Sequence, residues 1–200
     1  RSTRFQYTTL LRSNELLISN QCSVIIHVIT SDMIIIRISL STDWNLITIP
    51  AQTGWWASDI ADNLSCCTGV SKWDAVLQTY KSYIVGGPPS FDFVIEPGQG
   101  YFVELTCPGT LSVVGYPISS VNIPLKIGWN LLGWYHSYNT TASSLSADIT
   151  GCTGISKWDP VLQTYKSYIV GGPPSFDYVI TRGMGLFVDV TVESVWYGEG

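Results

Sequence analysis

Residues Cys67 to Ile95 read CTGVSKWDAVLQTYKSYIVGGPPSFDFVI, and residues Cys152 to Ile180 read CTGISKWDPVLQTYKSYIVGGPPSFDYVI. The two stretches lie 85 positions apart and differ only at Val70/Ile155, Ala75/Pro160 and Phe93/Tyr178. A fixed period of this length means that the fold is built from units. The match continues outward without a gap, but more weakly. Trp44-Asn45-Leu46 pairs with Trp129-Asn130-Leu131, Ala57-Ser58 with Ala142-Ser143, and Gly98-x-Gly100-x-Phe102-Val103 with Gly183-x-Gly185-x-Phe187-Val188. The fall in similarity is abrupt at Cys67, because Trp44 to Cys66 shares only five of 23 positions with Trp129 to Gly151. Even drift after duplication does not make such an edge. Either the central block was copied over, or its surface does the same job twice.

Each unit gives the same coarse reading. A strand opens it, Trp129 to Trp134 in the second copy. A short helix follows over Ala142 to Ile149, with Leu145 and Ile149 spaced i, i+4 and Thr141 as N-cap. Strands are expected around Lys72-Trp73 and over Thr79 to Val85, joined through Asp74 to Gln78. Gly86-Gly87-Pro88-Pro89 is a loop, since two prolines cannot donate to a central ladder. Phe91 to Ile95, Tyr101 to Leu105 and Leu111 to Val114 complete the strands, with a tight turn at Pro97-Gly98-Gln99-Gly100. The expected class is mainly β with a minor α part. It comprises two tandem small β-barrel or sandwich-like repeat domains, each with about six strands and one short helix. The domains are residues 44–118 and 119–200. Residues 1–43 form a β extension, read either as the tail of an earlier, decayed unit or as unrelated sequence. The same shift sets Cys22 opposite Cys107 and Ile38-x-Leu40 opposite Ile123-x-Leu125.

Composition narrows the function. Charged residues are 12% and hydrophobic residues 46% of the 200, with a net charge of −5. That is too apolar for a disordered chain, and no basic patch exists for nucleic acid. The stretch from Val24 to Leu40 is broken by His27, Asp32 and Arg37, so no membrane span is expected. Scarce Lys and Glu with abundant Ser, Thr, Tyr, Trp and Gly fit an extracellular β module. The first residue is Arg, which suggests a mature or excised fragment.

The units GWNLLGW (Gly128 to Trp134), KWD with QTYKSY (Lys72 to Tyr83 and Lys157 to Tyr168) and PGQGYFVEL (Pro97 to Leu105) resemble a repeat of large secreted and surface-layer-type proteins of archaea and some bacteria. The resemblance covers about residues 44 to 200. Copy one departs from it at Asp43, where glycine precedes the tryptophan. Copy two departs at Thr181 to Leu186, where Pro-Gly-x-Gly-Tyr is usual. It implies an extracellular structural or adhesive role beside β-sandwich modules, and no enzymatic activity.

The candidate chemical groups are few. His27 and His136 are not equivalent and have no partners at metal spacing, so neither a metal site nor a cofactor is expected. Asp74/Asp159 and Asp92/Asp177 recur 18 residues apart. They would make a glycosidase-like pair only across a cleft, and turn capping accounts for them better. The aromatics are the stronger candidates. Trp73, Tyr80, Tyr83 and Phe91 recur as Trp158, Tyr165, Tyr168 and Phe176, with Trp55 and Trp56 added in copy one. Exposed, they would stack on sugar rings; buried, they would fill a thin core. On Thr79 to Val85 the two tyrosines point to opposite faces, so at most one is core.

Cys66 and Cys107 occur in copy one and are both replaced in copy two, by Gly151 and Val192. Paired loss points to a Cys66–Cys107 disulfide, the alternative being Cys67–Cys107 with Cys66 free. Cys67 and Cys152 are then buried thiols, and Cys22 is left for an intermolecular bond. Asn139 heads a glycosylation sequon in front of the helix, and Asn63 a second one inside the equivalent helix. Three functions compete. The first is a non-catalytic structural or adhesive module of a surface protein, with itself, neighbouring copies or polysaccharide as partner. The second is a carbohydrate-binding module of a secreted enzyme, and the third is a hydrolase using the Asp pairs.

Overall fold

A computed structural model describes residues 32–199. The readings that fall on Cys22, His27 and the rest of the first 31 residues lie outside the described part. The chain is mainly β with a minor helical component, and the two copies share one architecture. The first contains β1 (Ile34–Leu40), β2 (Asp43–Thr48), α1 (Ala57–Asp62), β3 (Cys67–Asp74), β4 (Thr79–Ile84), β5 (Gly100–Leu105) and β6 (Gly109–Gly115). The second contains β7 (Ile123–Leu125), β8 (Gly128–Gly133), β9 (Thr140–Thr141), α2 (Ala142–Asp148), β10 (Cys152–Asp159), β11 (Thr164–Ile169), β12 (Val179–Ile180), β13 (Gly185–Val190) and β14 (Ser194–Trp196).

Each unit has an open, four-stranded antiparallel sheet, ordered β2-β5-β3-β4 in one and β8-β13-β10-β11 in the other. No sheet among the described residues closes into a barrel. A second ribbon covers one face, β1 with β6 and β7 with β14. Ile38 and Leu40 stand where β7 stands in the second copy, and the whole of Ile34–Leu40 pairs with β6 of the first unit. The stretch expected as a strand over Phe91 to Ile95 is instead a 3-10 turn at Pro89–Phe91 followed by a single bridge, Val94 to Trp56. Pro89 opens the 3-10 turn, which takes Phe91 out of the extended run; Ile95 N–H still donates to the Trp55 carbonyl (2.8 Å), and the equivalent Val179–Ile180 pairs as β12.

The alternation of a β-strand gives each sheet two different faces. One carries Ile47, Val70, Tyr101, Val103 and Leu105, and packs on Ala57 and Ile60 of α1 and on Leu111 and Val113 of β6. The equivalent face in the second unit carries Leu132, Ile155, Leu186, Val188 and Val190 against Ala142, Leu145 and Trp196. The other faces carry Leu46 and Phe102 in one unit and Leu131 and Phe187 in the other, and these four side chains bury one another. The units are therefore joined sheet to sheet, and both faces of each sheet are used.

Candidate functional site

The joint is reciprocal. β2 and β8 are edge strands, whose outward N–H and C=O groups need partners. The Trp129 carbonyl accepts from Trp73 Nε1 (2.7 Å) and Gln78 Nε2 (2.9 Å), while the Trp129 N–H donates to Gln78 Oε1 (3.0 Å). The Trp44 carbonyl accepts from Trp158 Nε1 (2.8 Å) and Gln163 Nε2 (3.1 Å), while the Trp44 N–H donates to Gln163 Oε1 (3.1 Å). Farther along the same edges, Thr48 N–H donates to the Gly183 carbonyl (2.9 Å) and Gly133 N–H to that of Gly98 (2.8 Å). Each of these contacts has its counterpart 85 residues on, as an isologous interface about a pseudo-twofold axis requires, whereas the bond from Arg182 Nη2 to the Pro50 carbonyl (3.2 Å) has none, Pro97 standing opposite Arg182.

Several motif residues find their purpose here. The second glycine of each Gly-x-Gly is a spacer between units. A Cβ on Gly100 would lie 2.7 Å from the Leu132 carbonyl oxygen, and one on Gly185 would lie 2.9 Å from that of Ile47. In Trp-Asn-Leu, Leu46 and Leu131 pack the joint. The buried Asn45 amide closes the preceding turn onto Ser41, and Asn130 does the same onto Lys126. Gln78 and Gln163 carried no signal beyond being present twice. They have φ of 51° and 50°, a strained region for a residue with a side chain. The amide that pairs with the opposite edge strand explains why glutamine rather than glycine sits there.

Beside the axis lie two equivalent aromatic grooves of about 370 and 330 Å3. Trp73, Trp129, Phe187, Ser156 and Ser167 line the first; Trp158, Trp44, Phe102, Ser71 and Ser82 line the second; Tyr80 and Tyr165 border both. The Tyr80 and Tyr165 hydroxyls face each other at 3.4 Å. Rings meet edge to face: Trp73 on Tyr80 at 4.8 Å, Trp158 on Tyr165 at 4.8 Å, Trp44 on Phe102 at 5.9 Å and Trp129 on Phe187 at 6.1 Å. The serines pair at 2.7 Å in each groove. Burial, with the Tyr165 hydroxyl beside it, pushes the Tyr80 phenol up, so it stays neutral. No charged side chain lines either groove.

Of the residues expected to bind a ligand, the structure brings Trp73, Tyr80, Trp158 and Tyr165 together. Tyr83 and Tyr168 lie on the opposite sheet face, half-buried against the two cores. Trp44, Trp129, Phe102 and Phe187 complete the grooves. Trp55 packs on the first core, and Trp56 is exposed. Phe91 and Phe176 are also exposed and lie outside the grooves, as do Val76, Leu77, Val161 and Leu162 at the hairpin tips. Nothing in the packing of this chain explains why those exposed apolar residues are the same in both copies.

The carboxylates serve the fold. Asp74 Oδ1 accepts from the Val76 and Leu77 N–H groups, and Oδ2 meets Lys81 at 2.7 Å; Asp159 repeats this with Val161, Leu162 and Lys166. Those hydrogen bonds, led by that from the lysine, hold the Asp74 carboxyl below its usual value and bring Asp159 down to about 2. Asp92 accepts from the Ser58 N–H and hydroxyl at the start of α1, and Asp177 from Ser143 at the start of α2. Burial alone would raise the Asp177 carboxyl, but the Ser143 hydrogen bonds outweigh it and lower it. Asp74, Asp159 and Asp177 are therefore pushed the wrong way for a general acid at neutral pH.

His136 lies between Trp134 and Tyr138, with Nε2 on the Gly198 carbonyl, away from the grooves. Among the described residues no group of three His, Cys, Asp or Glu side chains is placed to hold a metal ion. Cys66 and Cys107 form a disulfide, with Cα atoms 5.6 Å apart. In the second unit Val192 packs where a Cβ on Gly151 would stand, so the Gly/Val pair is an alternative filling of the same site. Cys67 and Cys152 are half-buried free thiols, and burial pushes both up, Cys152 to about 11. Asn139 is exposed ahead of β9, and Thr141 caps α2 by accepting from Ser144 N–H (3.1 Å). Asn63 is exposed at the end of α1 and donates to the Asp59 carbonyl. No helix among the described residues is long and apolar enough to cross a membrane. No protein-family model, curated protein or solved structure matches the chain.

Proposed function

We propose that this chain is a non-catalytic structural or adhesive module of an extracellular cell-surface protein, of surface-layer or sheath-like character. The observation that carries the reading is the reciprocal joint. Trp73, Gln78, Tyr80 and their counterparts sit in the block that both copies keep, and they hold one unit to the other. A motif whose repeated residues serve pairing suits a building element more than a reaction centre. The disulfide suits an oxidising, extracellular setting. Asp74, Asp92, Asp159 and Asp177 are committed to turns and helix starts, which leaves a hydrolase reading without its acid and base. Neighbouring copies of the same protein and envelope polysaccharide are the partners this role calls for. An antibody raised against the chain is expected to label intact cells of the source organism without permeabilisation. Labelling only after lysis would sink the reading.

A second reading, binding of a neutral polysaccharide, is favoured by the grooves. They offer indole and phenol rings, serine hydroxyls and no charge, in volumes suited to a small ligand. Titration with neutral glycans should shift tryptophan fluorescence, and Trp44→Ala with Trp129→Ala should abolish the shift. A flat response across a glycan panel rejects this second reading and leaves the structural one standing.

A further inference from the structure

The joint departs from symmetry at a wholly buried point, Thr48 and its counterpart Gly133. Around it Leu46 agrees with Leu131, Gly98 with Gly183 and Gly100 with Gly185, while Ile47 stands opposite Leu132 and Gln99 opposite Met184. Thr48 is wholly buried, and its hydroxyl donates to the Gln99 carbonyl (2.6 Å). A Cβ on Gly133 would stand 2.1 Å from Thr48 Oγ1, 2.3 Å from Thr48 Cβ and 2.6 Å from the Gln99 carbonyl oxygen. No arrangement of two side chains relieves that overlap, because two of the atoms involved are a β-carbon and a backbone oxygen. Gly133 also lacks the positive φ that would call for glycine on conformational grounds. Space across the joint is the reason it is glycine.

A twofold axis brings equivalent positions face to face, so a residue near the axis meets its own counterpart. Two threonines here collide. Two glycines leave a void and the Gln99 carbonyl without its hydroxyl donor. One threonine against one glycine fills the site once. We propose that position 48/133 is the selectivity key of the pairing surface. A unit bearing threonine accepts a unit bearing glycine and rejects its own kind. Within this chain the key fixes the pairing of the first unit with the second. Between chains, the surface of the first unit fits only the second unit of another copy. This pairing rule deepens the structural reading but rests on the joint alone, so a wrong cellular role would leave it intact.

The test uses the whole chain in four forms: unaltered, Gly133→Thr, Thr48→Gly, and Thr48→Gly/Gly133→Thr. Small-angle scattering reads whether the units stay joined, and acrylamide quenching reads exposure of the tryptophans at the joint. Gly133→Thr is expected to enlarge the radius of gyration and raise quenching, with far-UV circular dichroism and the Cys66–Cys107 bond retained. The double variant removes the Thr48 atoms from the path of the new β-carbon but leaves the Gln99 carbonyl oxygen 2.6 Å from it, so it is expected to return both readings part of the way toward those of the unaltered chain. Thr48→Gly alone should remain joined. The proposal is overturned if Gly133→Thr scatters like the unaltered chain, if Thr48→Gly opens, or if the double variant is as open as Gly133→Thr. Should Gly133→Thr fail to fold, recovery of folding in the double variant supports the key, and failure of both refutes it.

Discussion

Asp43 and Gly128 occupy equivalent positions, each before the tryptophan of Trp-Asn-Leu, and both have a left-handed backbone, with φ of 67° and 93°. Glycine adopts that region freely, whereas a residue with a Cβ does so at a cost. The Asp43 side chain is exposed, and its carbonyl is what the turn uses, accepting from the Asn45 amide at 3.0 Å. Asp43→Gly keeps that bond and removes the strain. It should raise the unfolding free energy by about 0.5–1 kcal/mol after allowing for glycine's larger unfolded-state freedom, seen as a higher urea midpoint. A lower midpoint would mean that the carboxylate holds the turn after all. The departure at Asp43 was legible in the sequence because its counterpart is glycine. The opposed directions of Tyr80 and Tyr83 were also legible, since strand alternation fixes them once the strand is recognised. The role of Gln78 was not, because its partner, Trp129, lies 51 residues away in the other unit.

At the scale of elements, the units solve one packing problem in two ways. The turn after α1 is tied to the segment after β5 by Cys66–Cys107; the same place in the second unit holds Gly151 and Val192. The bond closes a loop with a sequence separation of 41. Its removal should cost about 3–4 kcal/mol on the chain-entropy estimate. Urea unfolding with and without reductant is expected to show that loss, and amide exchange should place it in the first unit. An unchanged midpoint under reduction would show that packing alone holds this turn. The helix, the hairpin and this bridge were readable because each leaves a local trace: an i, i+4 pair with a cap, alternation about a short turn, and two cysteines lost together. The strand expected at Phe91 to Ile95 is reduced to a bridge because a 3-10 turn opened by Pro89 takes Phe91 out of the run, and a local apolar pattern does not show that turn. The pairing of Ile34–Leu40 with the first unit was not legible for another reason. β1 is completed by β6, some seventy residues later in the chain, and apolar alternation does not name its partner.

At the scale of the whole molecule, the sequence announced two units but not that their sheets lie face to face. A strand with apolar residues on both sides is compatible with a barrel wall, a sandwich or a joint, and only the second unit decides among them. The joint makes a quantitative demand, because equivalent residues must matter equally. Gln78 and Gln163 each satisfy the outward N–H and C=O of the opposite edge strand while holding φ of 51° and 50°. Truncation to alanine removes the hydrogen bonds and keeps the strain; truncation to glycine removes both. Gln78→Ala should therefore lower the unfolding free energy by about 2–3 kcal/mol, for three modest hydrogen bonds at a partly solvated edge, two with Trp129 and one to the Ala75 carbonyl. Gln78→Gly should lower it by about 1 kcal/mol less, since glycine relieves the left-handed strain. Gln163→Ala and Gln163→Gly should match these values, as the pseudo-twofold requires. Urea unfolding of the four variants is the measurement. Matching losses with glycine milder than alanine would place the cost in the shared joint. A loss at Gln78 without one at Gln163 would mean that only one side of the joint bears load, and the reciprocity of the contacts would then be geometric but not energetic.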